Sequence, residues 1–427
     1  MLEKVFIYTY MLSLAIPGRW RLMPELDHYG GAEVAISPYD IPLFSYLFVK
    51  MILVCLSYSQ RNISITINKD ILVVVAYVYI NAMLIIFAES IFWSSLEIFR
   101  YIKFSIIFLI LRNSFSKDEL AIKSLFNMFL IVIVLQILTS IIQQVFGLTL
   151  SGKGGSEVGL NNIDGDYFRS TGTLGHPGTL SQFVVIIAPF LWLEALNSKV
   201  IRKALFMTGY VLCLLIVVLT FARTGIALIA VTSMLMVFHS LISKGKFFSK
   251  ALICVSILLS GLYFFDSYYS VIYDRFANAP DESGSIRVTL AEIAFNMISK
   301  YPISGVGLNC FTDVMKLYDP TNIVSWWPHP VHNIFILILA ETGFIGFSIF
   351  MYLNFHFIRN AILGFKMRIN PHSDYLYAAL VSLFSIAMFG MLGWSWRLDS
   401  VQGLYWIILA VISSSFERLK LMQSKTD

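Results

Sequence analysis

Long apolar runs, one after another, decide what this chain can fold into. A helix needs roughly 17–25 mostly apolar residues to cross a bilayer. Such runs recur at 41–57, 71–87, 96–111, 125–146, 180–196, 205–221, 225–242, 251–265, 334–357, 376–394 and 403–415. A shorter run at 5–16 precedes them. No small-residue cleavage site follows Pro17-Gly18-Arg19, so this run reads as an uncleaved first helix rather than a signal peptide. A chain of 427 residues with 57% hydrophobic and 13% charged residues has no aqueous core large enough to hide its apolar excess. Lipid is the solvent that accepts it. The expectation is an all-α polytopic membrane protein: one integral membrane domain over residues 1–427, with about twelve transmembrane helices, or eleven if the first is not a span.

Lysine and arginine set the orientation. Alternate connections hold Arg61 and Lys69; Arg112, Lys117 and Lys123; Lys199, Arg202 and Lys203; Lys244, Lys246 and Lys250; Arg359, Lys366 and Arg368; and Arg418, Lys420 and Lys425. These segments are short and acid-poor, as cytoplasmic connections should be, and both chain ends are expected on that side. The net charge of +5 belongs to them. No basic stripe interleaved with stacking aromatics suggests nucleic acid. Cys55, Cys213 and Cys254 lie in apolar runs and Cys310 stands alone in a loop, which gives no disulfide or metal framework.

Two outer connections stand apart, 147–178 and 266–332. Loops of this length in a compact protein are functional or disordered, and their Gly, Pro, Trp, Tyr, Arg and His content reads as ordered. In the second, Leu290, Ile293, Ala294, Met297 and Ile298 follow Arg287 at helical spacing. The pattern predicts an interfacial helix near 286–300, capped by Ser283 or Ser285 and limited by Pro302.

The outer ends collect charge. Arg169 and His176 stand where the first loop re-enters lipid; an arginine there also suits snorkelling to headgroups. Arg223 lies in so short a turn, Thr220 to Gly225, that it sits at the membrane boundary. A charge there needs a partner: a ligand, or an internal carboxylate such as Glu89 or Glu97. Arg100 and Lys103 add positive charge early in the fourth span. Arg287 also suits an ordinary interfacial helix, and His329 and His332 suit structural roles. Without Cys, Asp or Glu at ligand spacing, the two histidines make a poor metal site. Gly305-Val306-Gly307 is a lone GxG with no preceding strand, weak as a phosphate signal. Trp326 and Trp327 read as interfacial anchors.

In order, these segments resemble the O-antigen ligase and O-antigen polymerase superfamily of polytopic bacterial envelope glycosyltransferases. The matching pieces are Arg169 with Gly172 and His176-Pro177, the turn Ala222-Arg223-Thr224-Gly225, and Arg287 opening a helix. They continue with Tyr301-Pro302-Ile303-Ser304-Gly305-Val306-Gly307, His332-Asn333 and Glu341-Thr342-Gly343-Phe344-Ile345-Gly346. The resemblance implies an inner-membrane enzyme that transfers a glycan from undecaprenyl diphosphate at the periplasmic face, without nucleotide sugar, metal or cofactor. It implies catalytic roles for His332, Arg287 and Arg223, and substrate binding by Arg169, His176, Arg100 and His329. Arginine suits a diphosphate because its planar fork binds phosphate oxygens in pairs and stays protonated; histidine suits a general base or an orienting hydrogen-bond partner. The arginine- and glycine-bearing first loop looks more like a repeat-unit polymerase than a ligase, which would use a lipid A core acceptor. A polymerase implies a lipid-linked oligosaccharide acceptor and a chain-length regulator as partners. A flippase or transporter is the more distant alternative. It would carry ionisable groups at the bilayer midplane and paired broken helices, whereas here Lys50 and Glu341 are the main departures from charge gathered at the outer ends.

Overall fold

The structure, a computed structural model, describes residues 2–16, 18, 20–23, 33–56, 68–147, 162–163, 167–242, 282–325, 327–369 and 371–424, with isolated positions between 259 and 273. The described chain is helical apart from two short hairpins, Trp20–Arg21 with Ala35–Ile36 and Asn162–Ile163 with Tyr167–Phe168. The helices are α1 (Leu2–Leu14), α2 (Asp40–Leu56), α3 (Lys69–Met83), α4 (Ile91–Lys117), α5 (Glu119–Phe146), α6 (Pro177–Asn197), α7 (Val200–Leu219) and α8 (Arg223–Ile242). They continue with α9 (Glu282–Lys300), α10 (Ile334–Lys366), α11 (His372–Leu392) and α12 (Asp399–Gln423). Seven of them are long and apolar enough to cross a membrane, so this is an all-α, multi-pass membrane fold. The predicted spans fall on these helices, except 251–265, of which only Leu259 and Tyr263 are among the described residues.

Side-chain caps set several helix ends. Ser90 accepts from the Trp93 amide at 3.4 Å, Asp118 from Leu120 at 2.8 Å, and Asn333 from Phe335 and Ile336 at 2.9 and 3.1 Å. Gly147 stops α5 with φ +64°, its amide reaching Gln143 O at 3.0 Å. One expectation fails at α9, which begins at Glu282. Ser283 and Ser285 lie inside the helix rather than capping it, because the helix runs a turn further back than its apolar stripe.

Successive helices run up and down. One end of the bundle carries Lys4–Asp118, Lys50–Glu3, Arg112–Glu417, Lys123–Glu119 and Arg202–Glu194 pairs; it is called the basic end. The first turns of α4, α6, α8, α10 and α12 lie at the other end, with α9. That end is called the site end.

The predicted span 334–357 is one helix only in outline. At Gly343 the backbone leaves helical geometry (φ 59°, ψ −168°). A break inside a bilayer strands amides and carbonyls that water cannot reach. Here the segment Tyr301–Gly307 inserts and satisfies them. The amides of Val306 and Gly307 donate to Ala340 O and Glu341 O at 3.0 and 2.8 Å, and those of Phe344 and Ile345 donate to Pro302 O and Ile303 O at 2.8 and 3.3 Å. A Cβ at Gly305 would lie 2.3 Å from the Glu341 carbonyl, and one at Gly343 would lie 2.3 Å from the Ile303 carbonyl. The two glycine motifs of the sequence are therefore the two halves of one backbone interlock. The Gly305-Val306-Gly307 stretch serves chain crossing here.

Buried charge at the site end is self-paired. Arg100 binds Glu97 at 2.5 Å, Asp399 at 3.5 Å and the Arg397 carbonyl at 2.8 Å. Lys103 binds Asp40 at 2.7 Å. Arg397, 1% exposed, pairs with Glu341, whose other carboxylate oxygen accepts from the Phe311 amide at 3.4 Å. Removing either partner of such a pair strands a charge at a cost of about 3–5 kcal/mol.

Candidate functional site

The first loop is held inside the bundle by glutamines of α5. Gln143 accepts from the amides of Thr171 and Gly172, both at 2.9 Å, and donates to Thr171 Oγ1 and Gly172 O at 3.0 and 2.9 Å. One turn-pair earlier, Gln136 accepts from the Thr173 amide at 3.0 Å and donates to its hydroxyl at 2.6 Å. Gln144 donates to Phe168 O and to Ser170 Oγ at 3.0 Å. Gly172 needs its bare α-carbon: φ is +54°, and a Cβ would lie 2.2 Å from Gln136 Oε1. These amides were missed at the sequence level. Their signal was three glutamines at i, i+7 and i+8 on one side of an otherwise apolar span, where a polar residue needs an interior partner.

This clamp delivers Arg169 and His176. The Ser170 amide donates to Leu219 O at 2.9 Å, and Arg169 Nε reaches Thr220 O at 3.4 Å. The loop thus lies against the α7–α8 turn, three residues before Arg223, the first residue of α8. Thr220 shapes that turn by donating to Val217 O at 2.7 Å and accepting from the Ala222 amide at 3.2 Å. Phe221 takes φ +49°. The start of α8 presses on α6: a Cβ at Gly225 would lie 2.5 Å from Ser181 Cβ. His176 caps α6, its Nδ1 accepting from the Gly178 amide at 3.0 Å. That leaves Nε2 as its protonated, outward nitrogen in the neutral form.

The second loop supplies Arg287 and His332. On α9 the buried stripe is Leu290, Ile293, Ala294 and Met297. Arg287 continues that stripe one turn beyond the packed surface, so the side chain leads the helix at the edge of its contact with α10. Asn296 Nδ2 fixes the helix by donating to Tyr318 O at 3.2 Å. His332 sits two residues before α10, and its Nδ1 is buried with no hydrogen-bond partner. Partial burial, and then the positive charges of Arg287, His329 and His176, hold its pKa down at about 4. At neutral pH it is an uncharged imidazole with an open position. His329 stacks at a tilt on Trp327, ring centres 4.6 Å apart.

The structure brings together His332, Arg287, His329 and His176 by their mutual electrostatics, and Arg169 with Arg223 across one turn. It places Arg100 elsewhere, in the α4–α12 ion-pair network. The carboxylate alternative for Arg223 does not hold at Glu97, which is taken by Arg100. Arg397 was not read from the sequence as an interior cation; among the described residues it is the partner that Glu341 requires.

A contrast among the arginines follows. Arg100, Arg112, Arg202 and Arg397 each have a carboxylate within 4 Å. Arg223 and Arg287 form no ion pair with any described residue. Arg223 opens α8 at the site end, where bare amides already favour an anion; Arg287 lies in the second turn of α9. Among the described residues no group of three His, Cys, Asp or Glu is placed to hold a metal ion.

Residues 208–351 match the family model for O-antigen ligase. The match runs from α7 to just past the break in α10 and includes Arg223, Arg287, His332 and the glycine interlock; Arg169 and His176 precede it. It supports the O-antigen ligase and polymerase superfamily, a family of glycosyltransferase-like membrane enzymes. No curated protein matches the chain.

Proposed function

We propose that this chain is a repeat-unit polymerase, moving a glycan from undecaprenyl diphosphate to a lipid-linked acceptor sugar at the periplasmic membrane face. The observation that carries the reading is a pair of arginines, Arg223 and Arg287, that form no ion pair with any described residue, the second of them beside a neutral His332. Among the described residues the fully buried arginines, Arg100, Arg112 and Arg397, bring their own counter-charge; these two wait for an anion. About a dozen spans, with the basic end and both termini cytoplasmic, set the site end toward the periplasm.

In the reaction the acceptor hydroxyl oxygen attacks the anomeric carbon, whose bond to the diphosphate oxygen breaks with its electron pair. The hydroxyl proton goes to His332, and undecaprenyl diphosphate leaves. Negative charge grows on the leaving group, and the guanidinium forks of Arg223 and Arg287, with Arg169 behind them, meet it. The same anion offsets the part of the depression of His332 that its positive neighbours cause, burial being the larger part. Donor binding therefore raises the basicity of the imidazole when the proton has to be taken. His176 and His329 line the approach to the acceptor side.

A ligase differs only in its acceptor, a lipid A core sugar, and the motifs are shared. The surface glycan of a strain lacking the gene separates the two. Single repeat units on lipid A core mark a lost polymerase; lipid-linked polymer above bare core marks a lost ligase. The site itself is tested by Arg223→Ala, Arg287→Ala and His332→Ala, each expected to abolish long-chain glycan with membrane insertion intact. Near-normal polymer from all three would end the catalytic reading.

A further inference from the structure

At the basic end, α5 and α7 enclose a feature that glycan transfer does not use. The helices meet where Gly209 admits Leu130: a Cβ at Gly209 would lie 2.4 Å from Leu130 Cδ1. Between that contact and the basic end lies a groove of about 820 Å³. Its walls are Leu130 and Ile131 of α5 and Val200, Ile201, Leu205 and Phe206 of α7. Val200 and Ile201 are 84% and 80% exposed. No described helix covers them.

Both walls grade from charge to hydrocarbon in the same direction. On α5 the order is Lys123, Asn127, then Leu130 and Ile131; on α7 it is Lys199 and Arg202, then Leu205 and Phe206. Six helical residues span about 9 Å, the scale of the step from headgroup to acyl chain. Lys199 caps α7 without a side-chain hydrogen bond, so the first amides of the helix are unclaimed. Arg202 gives Nε to Glu194 at 2.7 Å and lays its guanidinium over the Phe206 ring at 4.7 Å, while its Nη2 makes no hydrogen bond. Lys199, Arg202 and Lys203 against Glu194 leave this rim net positive.

We propose that the groove is a binding site for one anionic phospholipid of the leaflet at the basic end. Its phosphodiester sits at the α7 N-terminus among Lys199, Arg202 and Lys203, and one acyl chain fills the groove down to the Gly209–Leu130 contact. Positive charge at the rim selects an anionic over a zwitterionic lipid, whose headgroup brings its own cation to an already basic rim. The site lies at the opposite end of the bundle from His332 and stands independently of the transferase reading.

The test uses the full chain in phosphatidylcholine nanodiscs doped with phosphatidylglycerol. Native mass spectrometry reads the lipid retained, and thermal unfolding reads the consequence. One phosphatidylglycerol should stay bound and raise Tm. Lys199→Glu with Lys203→Glu should cut the preference for it by about tenfold or more. Leu205→Trp, which fills the groove and keeps the charges, should also lose it. Pure phosphatidylcholine discs show whether each variant is folded. Equal retention of both lipids by the unaltered protein overturns the proposal, whatever the variants do. So does undiminished phosphatidylglycerol retention by Leu205→Trp, which would reduce the effect to surface charge.

Discussion

Replacing Gly305 by alanine tests the interlock directly. The new Cβ would stand 2.3 Å from both the carbon and the oxygen of the Glu341 carbonyl, whereas carbon atoms rest at about 3.5–4.0 Å. The obstacle is backbone, so no side chain can swing aside, and the strand must retreat by more than an ångström. Residue 305 has φ +71°, which costs an L-residue with a Cβ about 1–2 kcal/mol. The retreat stretches two hydrogen bonds, Val306 to Ala340 at 3.0 Å and Gly307 to Glu341 at 2.8 Å. Carbonyls left bare in a buried setting cost about 1–3 kcal/mol each. The total is about 3–8 kcal/mol, a large share of the ~5–15 kcal/mol that holds a typical protein folded. At about 2 °C per kcal/mol for a chain of this size, Tm should fall on the order of 6–16 °C. Thermal unfolding of the detergent-solubilised protein reads this, alongside the glycan ladder of cells carrying the variant. Gly343→Ala attacks the same junction from the other side and should behave alike, with a double variant little worse than either. Gly284→Ala on α9, whose Cβ meets nothing within 4 Å, is the control. A Gly305→Ala protein with unchanged Tm and full polymer would refute the interlock.

Removing the positive neighbour of His332 makes the imidazole easier to protonate, so its pKa rises from about 4 toward the ordinary value near 6.5. In Arg287→Gln the acid limb of the pH–rate profile should accordingly move up from near pH 4, on top of a large loss of rate; Arg287→Lys should keep the limb low and recover part of the rate. Arg223→Lys should likewise retain partial activity in a polymer-yield assay, since a point charge lacks the fork. Gln143→Leu removes four hydrogen bonds from Thr171 and Gly172. It should cost about 2–4 kcal/mol and open the first loop to limited proteolysis, with Arg169 displaced and activity lost together.

The helices of this fold were legible because lipid leaves an apolar run few choices. Their ends were less so. The run 96–111 lies within α4, which extends from Ile91 to Lys117; Arg112, read as part of a connection, stays in the helix because Glu417 and Ser413 of α12 receive it. The break at Gly343 was invisible for a related reason. Its broken hydrogen bonds are mended by Tyr301–Gly307, some forty positions away, and hydropathy does not report pairing at that distance. At the site, Arg169, Arg223, Arg287 and His332 stood out as charges at apolar boundaries. Which cations form ion pairs was not legible, because Asp399, Glu341 and Glu417 choose their arginines through tertiary contact. Arg100 looked like one more boundary cation and proved to be paired. The glutamines of α5 carried no charge to draw the eye, yet they hold the first loop.

Those glutamines have a consequence of their own. A primary amide offers donor and acceptor together without ever ionising, so the ladder formed by Gln136, Gln143 and Gln144 neither titrates nor weakens with ionic strength, as an ion pair does. The floor beneath Arg169 and His176 is thus indifferent to acidity and salt, while the histidines above it respond to acidity and the arginines to salt. A receptacle of constant shape carries a responsive lining, and changes in the surroundings alter its charge without altering its form.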